Sequence, residues 1–166
     1  MEKNLNSQEA IDKLTTLVKS IGTCMFLTNT QTGINSSRPM YAVESDCNGT
    51  IWFFTNLQSA KVEEIEKDSL VQMVFSNPSK ESYLNIRGRA SIEKDKQSIE
   101  EKWNPMIKAW FPEGKEDPNL CLIKVKTDEA HYWDGEKTKM VEMLKIVASV
   151  VTGKKLADGV HGDLLV

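Results

Sequence analysis

The sequence predicts a mainly β domain with flanking helices, of the α+β class. Its six or so antiparallel strands are expected to close, or nearly close, into a barrel. Three observations point there. Leu84, Ile86, Gly88, Ala90 and Ile92 alternate with Tyr83, Asn85, Arg87, Arg89 and Ser91, which is the period-two signature of a half-buried strand. Short apolar runs recur between turn signals such as Asn48-Gly49 and Asn77-Pro78. The composition, 40% hydrophobic and 27% charged over 166 residues, is that of a globular chain long enough to bury a core.

The elements follow in order. Ile11, Leu14, Leu17, Val18 and Ile21 fall at helical spacing; Asn6 with Glu9 resembles a capping box, and Gly22 ends the helix. The period then switches. Thr23–Asn29 reads as a strand, Gln31-Thr32-Gly33 as a turn, Ser36–Glu44 as a second strand and Ile51–Thr55 as a third, together a meander. A short helix spans Ala60–Lys67 with Val62 and Ile65 inward, and Leu70–Phe75 reads as a buried strand. After the alternating strand, a helix runs from Asp95 to Trp110, interrupted by Pro105 and ended by Phe111-Pro112-Glu113-Gly114. Leu120–Lys126 and Ala130–Trp133 read as two strands, and Lys139–Thr152 as a last amphipathic helix before a loose tail carrying Gly153, Gly159 and Gly162. All of 1–166 reads as one domain, with an N-terminal helix over 1–22, the barrel and its inserted helices over 23–134, and a C-terminal helix and tail over 135–166. A barrel removes the exposed edges that so many strands would otherwise present.

Charge and cysteine content narrow the function classes. Net charge is −3, pI is about 5.5, and there is no basic block to suit nucleic acid. Cys24, Cys47 and Cys121 are far apart and odd in number, against a disulfide framework or a zinc site. The two histidines, His131 and His161, belong to no ligand cluster, so no metal is expected. The polar start MEKNLNSQEA has no leader signature, and the apolar stretch Ile146–Val151 is far too short to cross a bilayer. A cytoplasmic protein with free thiols is the expectation, bound neither to membrane nor to nucleic acid.

The segment that carries chemistry is Phe53-Phe54-Thr55-Asn56-Leu57-Gln58-Ser59-Ala60-Lys61. A strand ends at Thr55, and Ser59 stands where a helix N-cap belongs. Lys61 then occupies the first turn, where the helix dipole opposes a cation unless an anion is bound. Two hydroxyls, helix amides and an ammonium would suit a phosphate. The alternative is that Ser59 only caps and Lys61 points into water. Arg38, one of three arginines against eighteen lysines, precedes Pro39, which cannot donate to a central ladder and so marks an edge or bulge. Its guanidinium could fork onto the same phosphate, or could be a plain surface group. The acidic run Glu63-Glu64-x-Glu66-Lys67 and Glu100-Glu101-Lys102 read as solvated helix faces.

Arg38-Pro39-Met40, Trp52-Phe53-Phe54-Thr55 and Ser59-x-Lys61 resemble the flavin-binding split barrels related to pyridoxamine 5′-phosphate oxidase. Trp110-Phe111-Pro112-x-Gly114-x-x-Asp117-Pro118 with Tyr132-Trp133 is similar to the general stress protein 26 subgroup, and the likeness spans roughly Ile21 to Trp133 in order. The resemblance implies a six-stranded split barrel that binds flavin mononucleotide (FMN) across a homodimer interface. It places the phosphate on Arg38, Thr55, Ser59 and Lys61, and the ring edge on backbone around Pro39, Met40 and Phe54. It gives Trp133 and Tyr83 to the partner subunit's site, and sets Trp110 near the ring or, alternatively, in the core.

Departures limit the activity. Ala60 stands where the oxidase has a further basic residue, and Val43 where it has a substrate-holding lysine. No arginine follows Arg89. Pyridoxamine phosphate oxidation is therefore not expected. The resemblance implies a flavin-dependent oxidoreductase of unidentified small-molecule substrate. A flavin binder without turnover, a deazaflavin binder, or a structural dimer with an empty groove are the alternatives.

Overall fold

The computed structural model describes residues 5–30, 32–33, 35–135 and 160–165. A two-residue strand β1 (Leu5–Asn6) leads into helix α1 (Ser7–Ile21), which buries Ala10, Leu14, Leu17 and Val18. Gly22 ends it at φ +78°, with its amide donating to Val18 O at 2.8 Å. That left-handed conformation suits glycine, as the sequence implies.

Strands β2 (Thr23–Thr28) and β3 (Ser36–Tyr41) form a hairpin, and β4 (Glu44–Ser45) pairs with β5 (Thr50–Asn56). The second strand expected over Ser36–Glu44 is thus broken at Ala42–Val43. The Ala42 amide donates back to Gly22 O, whereas the next amide, of Val43, donates to Trp52 O. The chain therefore passes from the β2 side of the one sheet to its β5 side within two residues.

Helix α2 (Ala60–Lys67) buries Val62 and Ile65. Strand β6 (Leu70–Asn77) follows, then β7 (Ser82–Glu93), helix α3 (Lys96–Lys102), β8 (Leu120–Asp134) and β9 (Val160–Leu165). Hydrogen bonding runs β3–β2–β6–β7–β8–β5–β4, and the chain itself joins β3 to β4. Counting β3 and β4 as one broken strand, six strands form the ring of a split barrel. Its core holds Phe26, Ile51, Phe53, Met73, Phe75, Leu84, Ile86 and Ile123, with Phe26 and Phe53 edge-to-face at 5.2 Å.

Four further details depart from the sequence reading. The two strands expected over Leu120–Lys126 and Ala130–Trp133 are one, because β7 pairs along both. The first half bonds β5 and the second bonds β9. The tail around Gly162 is not loose, since β9 pairs with β8 and, in parallel, with β1. Strand β6 is only half buried, with Leu70 and Val74 on the outer face. The helix expected over Asp95–Trp110 stops at Lys102 and resumes as a 3-10 segment, Pro105–Ala109, because proline cannot donate to a continuing helix. The helix expected over Lys139–Thr152 lies outside the described residues. Among the described residues, no helix is long and apolar enough to cross a membrane.

Strand β5 is buried on both faces and so places the site. Ile51 and Phe53 point into the barrel. Trp52 and Phe54 point outward, into a second cluster with Ile99, Ile107, Leu120 and Leu122, packed by Val43, Trp103 and Phe111. That cluster anchors α3 and the 3-10 segment on the outside of the barrel.

Candidate functional site

A cleft of about 430 Å³ lies between the end of β3, the end of β5 and the 3-10 segment, a size ordinary for a small-molecule site. Its lining is basic at one end and apolar at the other. The basic end holds Arg38, Thr55 and Lys61. The apolar end holds Met40, Val43, Phe54, Ile107, Trp110 and Phe111.

Each basic-end group is placed by its element. Arg38 projects from β3, which among the described residues is an edge strand bonded in ladder only to β2, and Pro39 beside it lies opposite Met25. This is the edge position that Arg-Pro signals. Thr55 is the last buried residue of β5, one before its end. Lys61, in the first turn of α2, reaches back so that its ammonium donates to Thr55 Oγ1 at 3.2 Å. It does not simply point into water. Burial, and next the Arg38 cation, pull its pKa below the ordinary lysine value, with Glu64 and Cys121 pulling the other way.

Ser59 occupies the N-cap position with extended backbone, and its carbonyl accepts the first helical bond, from Val62 N at 3.0 Å. Its hydroxyl, however, makes no capping bond. It stands 3.4 Å from Thr55 Oγ1 instead. The hydroxyl that the sequence assigns to capping is turned toward the basic corner, which leaves the first helical amides of α2 without that side-chain partner.

Glu64 is the residue that sequence reasoning missed. It is no solvated face: its carboxylate accepts from Arg38 Nη2 at 3.0 Å and from Thr28 Oγ1 at 2.5 Å, and only 19% of its side chain is exposed. The spacing of Lys61 and Glu64, three apart on one helix, is the signal that could have found it, since residues so spaced share a face. Lys102 is likewise not solvated. It donates to Glu44 Oε2 at 3.0 Å and lies over the Trp52 ring at 4.3 Å.

Of the remaining predicted positions, Pro39, Met40, Phe54 and Trp110 line the cleft. Trp110 is 61% exposed at its rim, which rules out the alternative of a core aromatic. Tyr83 and Trp133 do not line it. They face each other across β7 and β8, with 37% and 43% of their surface exposed. His131 lies on β8, its Nδ1 bonded to Asp163 of β9. Among the described residues no group of three potential ligands could hold a metal ion.

The corner has donors to spare. A guanidinium carries five N–H groups. Three of those on Arg38 are used within the chain, by Thr28 at 2.5 Å, Ser36 at 2.6 Å and Glu64 at 3.0 Å. Lys61 uses one of its three. Two cations with free donors, beside two hydroxyls, fit an anion with several acceptor oxygens. The adjoining aromatic wall fits a flat apolar ring. Among the described residues, the cleft lining holds no carboxylate, imidazole or thiol.

Comparison with known proteins agrees with this architecture. The family model described as "Pyridoxamine 5′-phosphate oxidase like" matches residues 9–158. The chain is 28% identical to protein bli-3 of Neurospora crassa over 92% of its own length and 80% of that protein's. Among solved structures it is similar to the general stress FMN/FAD binding protein of Xanthomonas citri, with 31% identity, a TM-score of 0.67, and coverage of 80% of this chain and 93% of that one. It is also similar to general stress protein 26 of Bacillus anthracis, with 30% identity, a TM-score of 0.65, and coverage of 74% and 92%. A general stress protein 26 of Jannaschia shares the fold at a TM-score of 0.75, over 95% of this chain and 96% of that one, at 21% identity.

Proposed function

Because this chain belongs to the pyridoxamine 5′-phosphate oxidase-like family, we propose that its basic corner and apolar wall together bind a flavin, specifically FMN. The carrying observation is the juxtaposition of Arg38, Thr55 and Lys61 at one end of a cleft whose other end is aromatic. In this reading Arg38 and Lys61 take the phosphate oxygens, with Thr55 and Ser59 beside them. Met40, Phe54 and Trp110 border the ring. The cofactor supplies two-electron redox chemistry when bound, and the protein supplies position and electrostatics. The FMN/FAD named for the Xanthomonas citri relative, 31% identical, supports the ligand class.

We propose further that the functional unit is a homodimer. The outer sheet face carries Met25, Leu70, Val74, Tyr83 and Trp133, all more than a third exposed. Met25 lies opposite Val74, and Tyr83 opposite Trp133. Apolar side chains so exposed, set among Gln72, Ser76 and Asn85, call for a cover. Two-fold pairing there would deliver Tyr83 and Trp133 to the partner's cleft. The apolar Val43 and the absence of arginine beyond Arg89 argue against a second phosphate-bearing ligand, so pyridoxamine phosphate is not the proposed substrate.

The proposed activity is that of a flavin-dependent oxidoreductase acting on a small molecule without a phosphate. A lining whose described residues include no carboxylate, imidazole or thiol favours a second reading, a flavin carrier without turnover. Titration of the purified protein with FMN, followed by flavin fluorescence, tests the binding. Saturable micromolar-or-tighter quenching, weakened about tenfold or more by Arg38→Ala, is expected from loss of a charge-assisted contact. Equal affinity of wild type and variant would remove the phosphate assignment. Loss of bound-flavin absorbance on adding NADH or NADPH separates the enzyme from the carrier.

A further inference from the structure

We propose that Glu64 is the positioning residue of the phosphate corner, holding the Arg38 guanidinium against the cleft from behind. The inference rests on the flavin-phosphate reading above and assigns a part to a residue outside the cleft. Arg38 lines the cleft, whereas Glu64, Thr28 and Ser36 do not. Arg38 therefore joins the cavity wall to three groups that lie outside it. Glu64 Oε2 accepts from Arg38 Nη2 at 3.0 Å and from Thr28 Oγ1 at 2.5 Å, while Arg38 Nη1 donates to that same Thr28 oxygen at 2.5 Å. Ser36 Oγ takes a further Nη2 bond at 2.6 Å. The four groups form a closed set drawn from β2, β3 and α2.

An arginine side chain loses much rotamer freedom when it binds a ligand. A guanidinium already fixed by three bonds has lost that freedom beforehand. The carboxylate also offsets the repulsion between Arg38 and Lys61, two cations near enough for the Arg38 charge to lower the lysine pKa. Glu64 thus lets two positive groups sit side by side in a half-buried corner before any anion arrives. It makes no bond in the cleft itself.

Two opposed effects follow from removing it, and two substitutions separate them. Glu64→Gln removes the charge but keeps an acceptor for Arg38 and Thr28. Glu64→Ala removes both. The test compares FMN with riboflavin, which lacks the phosphate, for wild type and both variants. It also follows the Arg38 Nε–Hε resonance by NMR without ligand. Wild type is expected to show that resonance sharp and displaced from free arginine. Glu64→Ala is expected to return it to the free position and to lower the FMN-to-riboflavin affinity ratio by about tenfold, the scale of one charge-assisted hydrogen bond, with riboflavin affinity unchanged. Glu64→Gln is expected to keep the displaced resonance and a ratio at or above that of wild type.

An unchanged or raised ratio in Glu64→Ala would overturn the proposal, because only the charge would then matter. Equal losses for both ligands would overturn it too, as the mark of a merely structural residue. If wild type bound neither flavin, the flavin reading would fail, and the Arg38 resonance in Glu64→Ala would decide the part of Glu64 alone.

Discussion

Lys61 holds its charge against two opposing influences, burial and the Arg38 cation. Its folded pKa lies below the 10.5 of ordinary lysine, so the unfolded chain binds the proton more tightly. Stability therefore rises with pH between that lowered value and 10.5, and the charge opposes folding at neutral pH. Lys61→Met is expected to raise the melting temperature of the ligand-free protein while weakening FMN about tenfold. Thermal unfolding and fluorescence titration check the pair; a lower melting temperature would contradict the burial argument. Two of the thiols are set by burial as well. Cys24 is pushed up to about 12 and Cys121 to about 11, each chiefly by desolvation. Cys47 is exposed. A thiol reagent at pH 8 should label one cysteine per native chain, Cys47, and three after unfolding. At this scale the sequence shows residue types and spacing. It suggested Arg38, Thr55 and Lys61 as a group because their elements adjoin at recognisable strand and helix ends. Glu64 escaped because its partners, Thr28 and Arg38, are 36 and 26 residues away, and the helix face it shares with Lys61 is the one local sign of it.

The strand pair β7–β8 shows what an element adds. Arg87 lies opposite Glu129 but Gly88 lies opposite Thr127, so Asp128 is the extra residue of a bulge. A Cβ on Gly88 would come within 2.4 Å of the Lys126 carbonyl oxygen. Backbone cannot yield as a side-chain tip can. Gly88→Ala is expected to cost about 1–3 kcal/mol, read from the urea midpoint, and no loss would show that the bulge relaxes freely. Alternation made β7 legible. The continuity of β8 was hidden because a bulge breaks the period-two pattern that joins Lys126 to Ala130. Proline made the break after α3 visible. Strand β9 was hidden because Gly162, which has no side chain, stands between Val160 and Leu164 and leaves their alternation with His161 and Asp163 too short to read, whereas the fold pairs it with β8.

At the scale of the molecule, a ring of six strands puts the apolar residues of β5 on both sides, and the outer set anchors the segment that bears Trp110. The outer face of β2, β6, β7 and β8 is the surface proposed to bury itself in a second copy. Sedimentation should give twice the 18.7 kDa chain mass, and Val74→Glu should halve that mass and weaken FMN together. A monomeric wild type that binds FMN as tightly would confine the site to one chain. Exposed Trp133 is expected to become alanine without unfolding, since 43% of its surface is open in the single chain. The barrel was legible because strand count, turns and polar-apolar alternation are local signals. The apolar outer face was not, because Leu70 and Val74 read as core until the register set them outward.

The central claim is that this corner binds the phosphate of a flavin, and the dissociation constants of FMN and riboflavin for the wild-type protein test it most directly. FMN bound about tenfold or more tightly than riboflavin, with the advantage shrinking as salt is raised, is the predicted result. Equal affinities, independent of salt, would contradict it.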